Sequence, residues 1–198
     1  MRRARRGSLS SAWVVPKPLQ VTHPQLPMHS DWAWHPDLAP DEMFDILAVW
    51  GGSADLTPNI ALHHDGSEGA LRVVPESRGV SLWHDGFNGS YISLSLSLDS
   101  AACRNLRDTS HLIDVFVDID APRVPQVYLR LNAASADAQK SDVVGIASTW
   151  EGKRAFQPWL FGIEGVKKLW LDIIFERPEP SGMYLRDVLI ARRPASGF

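Results

Sequence analysis

YISLSLSLD, residues 91–99, decides how the rest of this chain is read. Ile92, Leu94, Leu96 and Leu98 share one face, and Ser93, Ser95 and Ser97 share the other. Successive side chains of an extended backbone point to opposite faces, so this alternation is that of a strand buried on one side and wet on the other. The same period recurs downstream. LIDVFVDID (112–120) sets Ile113, Val115, Val117 and Ile119 against Asp114, Asp118 and Asp120. VYLRLN (127–132) turns Val127, Leu129 and Leu131 in and Tyr128, Arg130 and Asn132 out. LWLDIIFE (169–176) opposes Leu169, Leu171, Ile173 and Phe175 to Trp170, Asp172 and Glu176. MYLRDVLIARR (183–193) is a last strand whose alternation slips near Asp187, as at a bulge.

Turn residues separate these runs: Asp85-Gly86 and Asn88-Gly89, then Pro122 and Pro125, then RPEPSG. Short alternating strands joined by turns build antiparallel sandwiches rather than doubly wound parallel sheets. The expected fold is therefore mainly all-β, an antiparallel β-sandwich of the jelly-roll or carbohydrate-binding-like kind. One or two short helices are expected, near AACRNLRD (101–108) and, as an alternative to a buried strand, in PDEMFDILAVWGG (40–52). Residues 1–44 read as an arm rich in proline, disordered at its start, and residues 45–198 as a single sandwich domain. Trp32 and Trp34 sit on alternate positions of the arm, and two indoles are costly to leave in water, so that piece is expected to lie along the body.

With 198 residues and 44% hydrophobic content the chain can build one substantial core, and its mean hydropathy of -0.14 is that of an ordinary globular protein. The net charge of -3 hides an asymmetry. Arg2, Arg3, Arg5 and Arg6 open the chain, and the remaining 16 Lys and Arg face all 23 acids, which leaves residues 7–198 at -7. An acidic body is a poor fit to a phosphate backbone, so no nucleic-acid partner is expected. No run approaches the roughly 18–20 apolar residues of a membrane span, and no secretory leader is evident, so a soluble cytoplasmic protein is expected. Cys103 is the only cysteine, which excludes an intrachain disulfide and a thiolate-rich zinc site.

The strand phrases also carry a resemblance. HLIDVFVDIDAPRVPQVYLRLN, KKLWLDIIFERPEPSGMYLRDVLIARRP, GFNGSYISLSL and SDWAWHPDL together resemble an uncharacterised family of bacterial proteins of about this length, over most of residues 30–194. The resemblance implies a β-sandwich body and no established activity.

Two near copies, LHHDG (62–66) and LWHDG (82–86), invite a metal reading through His63, His64, Asp65, His84 and Asp85. Adjacent strand residues point apart, so His63 and His64 cannot both reach one ion, whereas Asp-Gly accounts for both copies as turns. No metal and no cofactor is expected. Neither a Gly-x-Ser-x-Gly string nor a phosphate-binding loop occurs, and no catalytic residue is assigned. Asp114, Asp118, Asp172 and Glu176 are the acids whose spacing would decide a glycan-processing enzyme. Tyr128, Arg130, Asn132, Trp170 and Asp172 face outward together and are the candidate ligand-binding set: flat rings beside planar hydrogen-bonding groups suit a sugar, whose faces are apolar and whose edges are hydroxyls. The reading that follows is a non-catalytic carbohydrate-binding-like module with a glycan or another protein as partner. The alternatives are a glycan-processing enzyme using acids of the outer face, and a structural or protein-interaction domain.

Overall fold

A computed structural model describes residues 21–40, 42–47, 51–104, 106, 111–158, 162–163, 165–179 and 182–195. The expected disorder at the start of the arm lies outside these residues. Among the described residues thirteen strands form two sheets, and every pairing is antiparallel. In chain order they are β1 (Trp32–Trp34), β2 (Phe44–Leu47), β3 (Gly52–Thr57), β4 (Ile60–His64), β5 (Ala70–Pro75), β6 (Val80–Asp85) and β7 (Tyr91–Ser97). Then follow β8 (His111–Asp120), β9 (Gln126–Ala134), β10 (Gln139–Ile146), β11 (Thr149–Phe156), β12 (Lys168–Glu176) and β13 (Met183–Pro194). One sheet has seven strands, in the order β11-β8-β13-β6-β5-β2 with β1 also on β13; the other has six, in the order β10-β9-β12-β7-β4-β3.

The core fills the space between the sheets and is made of the residues that the period-two pattern turns inward. Ile92, Leu94 and Leu96 from β7, Leu129 and Leu131 from β9, and Leu171, Ile173 and Phe175 from β12 meet Ile113, Val115, Val117 and Ile119 from β8. Each fully buried aliphatic or aromatic side chain of this kind contributes about 1.5–3 kcal/mol relative to exposure. β13 carries the bulge that its sequence signals: pairing with β8 shifts register between Leu185 and Asp187. Before the shift Leu185 points into the core, and after it Val188 and Ile190 do.

No α-helix occurs among the described residues, which corrects the expected one or two short helices. Phe44–Leu47 is β2, paired with β5. Residues 99–104 are a succession of tight turns, with Ala102, Cys103 and Arg104 amides bonded three residues back to Asp99, Ser100 and Ala101. The physical reason is Arg192, only 4% exposed, whose Nη1 donates to the carbonyls of Ala101, Ala102 and Arg104. Three carbonyls converging on one guanidinium nitrogen hold the segment in successive turns, whereas the carbonyls of a helix run parallel along its axis. Among the described residues no helix is long and apolar enough to cross a membrane.

The arm roofs the part of the outer face of the seven-stranded sheet that β8 and β13 form. Asp31 forms a two-pronged pair with Arg192 (2.8 and 3.0 Å), and β1 then pairs with the end of β13. Phe116 and Leu189 are cross-strand neighbours outside the main core cluster, yet they are 4% and 1% exposed. The His23 ring packs 5.5 Å from Phe116.

Candidate functional site

β12 lies between β9 and β7, so three rows of outward side chains meet on the outer face of the six-stranded sheet. Trp170 stands between Asn132 and Ser97, Asp172 between Arg130 and Ser95, Ile174 between Tyr128 and Ser93, and Glu176 between Gln126 and Tyr91. The five residues of the candidate set thus share one face, on two adjacent strands.

Their environments differ. Asp172 and Asn132 are each 3% exposed and are tied to each other, with Asn132 Nδ2 donating to Asp172 Oδ2 at 2.8 Å. The same carboxylate accepts from Ser95 Oγ (2.6 Å), Arg130 Nε (2.9 Å) and Arg130 Nη2 (2.8 Å). A buried carboxylate is tolerated when its lone pairs are filled in this way. Its effect is to fix the guanidinium of Arg130, which is 42% exposed. Tyr128 donates through its hydroxyl to Glu176 (3.2 Å); burial and this carboxylate together raise the phenol above its ordinary pKa. Trp170 is half-buried with the Lys168 ammonium 5.2 Å from its ring centroid, a cation–π contact.

Beyond these residues the face opens into a hollow of about 350 Å³ lined by Ser90, Tyr91, Tyr128, Arg130, Ile174 and Glu176. Tyr91 and Ile174 were not singled out in the sequence, although the signal is there. Tyr91 heads the serine face of YISLSLS, and Ile174 takes the next outward position after Asp172.

The acids do not form a catalytic pair. Asp114 and Asp118 lie on β8 in the seven-stranded sheet, whereas Asp172 and Glu176 lie on β12 in the other. Within each strand the two acids are four residues apart, about 13 Å, beyond the roughly 5–10 Å that glycoside hydrolysis requires. They are also occupied: Asp114 by Arg193 (2.6 Å), Asp118 by Arg186 (3.5 Å), Asp172 by Arg130 and Glu176 by Tyr128.

LHHDG and LWHDG are corners at which the chain changes sheets, from β4 to β5 and from β6 to β7. The two corners pack against each other. Asn88 Oδ1 accepts from the amides of Ser67 and Glu68, while Asp65 accepts from the amides of Ser90 and Tyr91 and from Ser90 Oγ. Burial works against charge on Asp65, but these donors outweigh it and hold its carboxyl below the ordinary range. Gly69, at φ +91°, is required by contact: a Cβ there would stand 2.4 Å from the carbonyl carbon of Gly86. His64 and His84 both point inward and flank the Phe87 ring at 5.8 and 5.6 Å, while His63 lies on the outer face beside Ser93. Burial pushes His64 below its ordinary pKa, with the Gly66 backbone opposing.

Another group has the composition of a metal site: His23, His35 and Asp187, whose ligand atoms lie within 4.8 Å of one another. His23 Nε2 lies 2.9 Å from Asp187 Oδ2 and His35 Nε2 2.8 Å from Oδ1. The Gln25 amide donates to His23 Nδ1 (3.1 Å), which places the ring proton on Nε2, facing Asp187. A metal-bound histidine has the reverse arrangement, donating its remaining N–H outward. The cluster is a hydrogen-bonded latch that fastens the arm at two points, His23 and His35, to the bulge of β13.

Comparison with known proteins places these observations in a family. No curated protein matches the sequence. Among solved structures, the chain is similar to a xylan-binding module, CBM15 (12% identity, TM-score 0.39, covering 71% of this chain and 95% of that one). It is also similar to a xylan-binding domain from CBM 22 (8% identity, TM-score 0.40, 82% and 100%). A third likeness is to a xylanase 10C from Cellvibrio japonicus in complex with xylopentaose (12% identity, TM-score 0.37, 71% and 28%). At these scores none of the three bears on what this chain binds. The model of one family matches residues 14–198, nearly the whole length, and the chain therefore belongs to the family of unknown function DUF6478.

Proposed function

We propose that the chain is a non-catalytic glycan-binding module whose ligand lies across the outer face of the six-stranded sheet. The observation that carries this reading is the open hollow between Tyr91, Tyr128, Arg130 and Glu176, on a face that also presents Trp170. Tyr128 sits beside Ile174, four residues along β12 from Trp170, so the two aromatic stations are separated by about 13 Å along the strand. That separation suits an extended oligosaccharide better than a single ring. Tyr128 and Trp170 supply apolar surface for sugar faces, and Arg130 and Glu176 bond hydroxyls at their edges. Asn132 and Asp172 act through Arg130, holding its guanidinium in place.

Affinity electrophoresis through gels that contain soluble plant, algal and bacterial polysaccharides tests this. At least one polysaccharide should retard the wild-type chain. Tyr128→Ala and Trp170→Ala should each weaken that retardation about tenfold, as loss of a central aromatic does at a binding surface. Mobility unchanged in every gel, or retardation equal in all three proteins, would leave a structural or protein-interaction domain in its place.

A further inference from the structure

The opposite face of the sandwich carries a second aromatic hollow that the first reading does not use. Trp83 is 41% exposed, one of four large hydrophobic side chains so open among the described residues, and Met43, at 56%, borders the same hollow. The hollow measures about 500 Å³, within the range of small-ligand sites. It lies on the outer face of the seven-stranded sheet, where β2, β5 and β6 place Asp45, Arg72 and Trp83 in one cross-strand row.

The indole is held in position. Its Nε1 donates to Ser81 Oγ (3.1 Å), which donates to Glu76 Oε1 (2.7 Å). The Tyr184 ring meets it edge-on at 5.9 Å and 85°. The ring leans over Gly182, where a Cβ would stand 2.8 Å from Trp83 Cζ2. With Nε1 engaged, the exposed part of the indole offers only apolar surface. Polar contacts come from its neighbours: Arg72 Nε is bonded to Asp45 Oδ1 at 2.7 Å, and Asp85 stands exposed on the same face of β6 as Trp83.

The geometry points to a second ligand seat at Trp83 that takes a pyranose, with the indole stacked on the sugar face and Arg72, Asp45 and Asp85 bonded to its hydroxyls. Both signs of charge border the hollow, which suits a neutral ligand rich in hydroxyls, each of which accepts from a guanidinium and donates to a carboxylate. A rigid aromatic binds at low entropic cost, because its rotamer is set before the ligand arrives. The seat shares its ligand class with the function proposed above, but it lies on the other sheet and stands without it.

Fluorine NMR of protein labelled with 5-fluorotryptophan reads both faces in one spectrum, with the resonances of Trp83 and Trp170 assigned from Trp83→Phe and Trp170→Phe. The probes are cellohexaose, xylohexaose, mannohexaose and chitohexaose. At least one should shift the Trp83 resonance in a saturable way. Arg72→Ala, a change at an exposed ion pair, should raise the dissociation constant read at Trp83 about tenfold, whereas Arg130→Ala should leave it unchanged. A Trp83 resonance that no hexaose moves, that responds equally in Arg72→Ala, or that loses its response in Arg130→Ala overturns the proposal. Response at Trp83 with none at Trp170 would instead count against the function proposed for the other face.

Discussion

The two outer faces of the sandwich begin from the same strand grammar and end differently. On the seven-stranded sheet the outward positions of β8 and β13 include Phe116 and Leu189, both buried, with His23 of the arm on the phenyl ring and Asp187 bonded to both His23 and His35. On the six-stranded sheet the outward positions of β9 and β12 include Tyr128, Arg130, Trp170 and Ile174, and these remain half-exposed. An amphipathic strand states only which side is wetter. Whether the wetter side faces water or another segment depends on residues far away in the chain.

A matched pair of truncations separates the covered face from the open one. Phe116→Ala removes a phenyl ring from beneath the arm and should cost about 3–4 kcal/mol, in the range of buried aromatic deletions. Ile174→Ala removes an outward side chain from the open face and should cost about 1 kcal/mol or less. Urea denaturation monitored by tryptophan fluorescence measures both. Equal costs would mean that the arm is not a roof or that the other face is not open.

Much of this was legible beforehand. The inward set of β7, β8, β9 and β12 follows from period two alone, and the slip at Asp187 is the register shift of β13. Alternation puts all five residues of the candidate set outward, and they share a face because β9 and β12 are neighbours, with Arg130 opposite Asp172. Three matters were not legible. That Asp114 and Asp172 belong to different sheets depends on strand order, which no local pattern records. That Asn132 and Asp172 are buried depends on their bonding to each other and to Arg130 across strands. AACRNLRD has the composition of a short helix, but its described part is drawn into turns around Arg192, some 90 residues later in the chain.

A smaller effect sharpens the account of the open face. Asp172 is a deeply buried polar anchor of this face, and Asp172→Ala leaves Asn132 buried without its carboxylate partner and Arg130 without its counter-charge. The expected cost is about 2–3 kcal/mol, below that of Phe116→Ala because Arg130 can turn to water. Asp172→Asn should recover part of it by keeping an acceptor for Ser95. A neutral outcome for Asp172→Ala, read from the same urea titrations, would make the whole face dispensable to the fold.

The smallest expected effect concerns how the roof is fastened, and it is read as a dependence on pH. Burial opposes the negative charge of Asp187, but hydrogen bonds from His23 and His35 outweigh it, so its carboxyl titrates below the ordinary value of 3.8. A carboxyl that binds its proton less readily in the folded chain than in the unfolded one adds stability above its unfolded pKa. That stability is lost as pH falls from 3.8 toward the depressed folded value. Asp187→Asn keeps the shape but not the charge, so wild type should exceed it in stability at pH 6, and the difference should shrink as pH falls below about 4. Arg78, whose Nη2 is 4.0 Å from the same carboxylate and 71% exposed, contributes little because water screens it. Hydrogen exchange locates the effect. On lowering the pH through this range, the amide of Asp31, bonded to the Arg192 carbonyl, should lose protection before the β9–β12 ladder does. Loss of protection at both places together would mean that Asp187 holds the sandwich as a whole rather than the arm that covers one side of it.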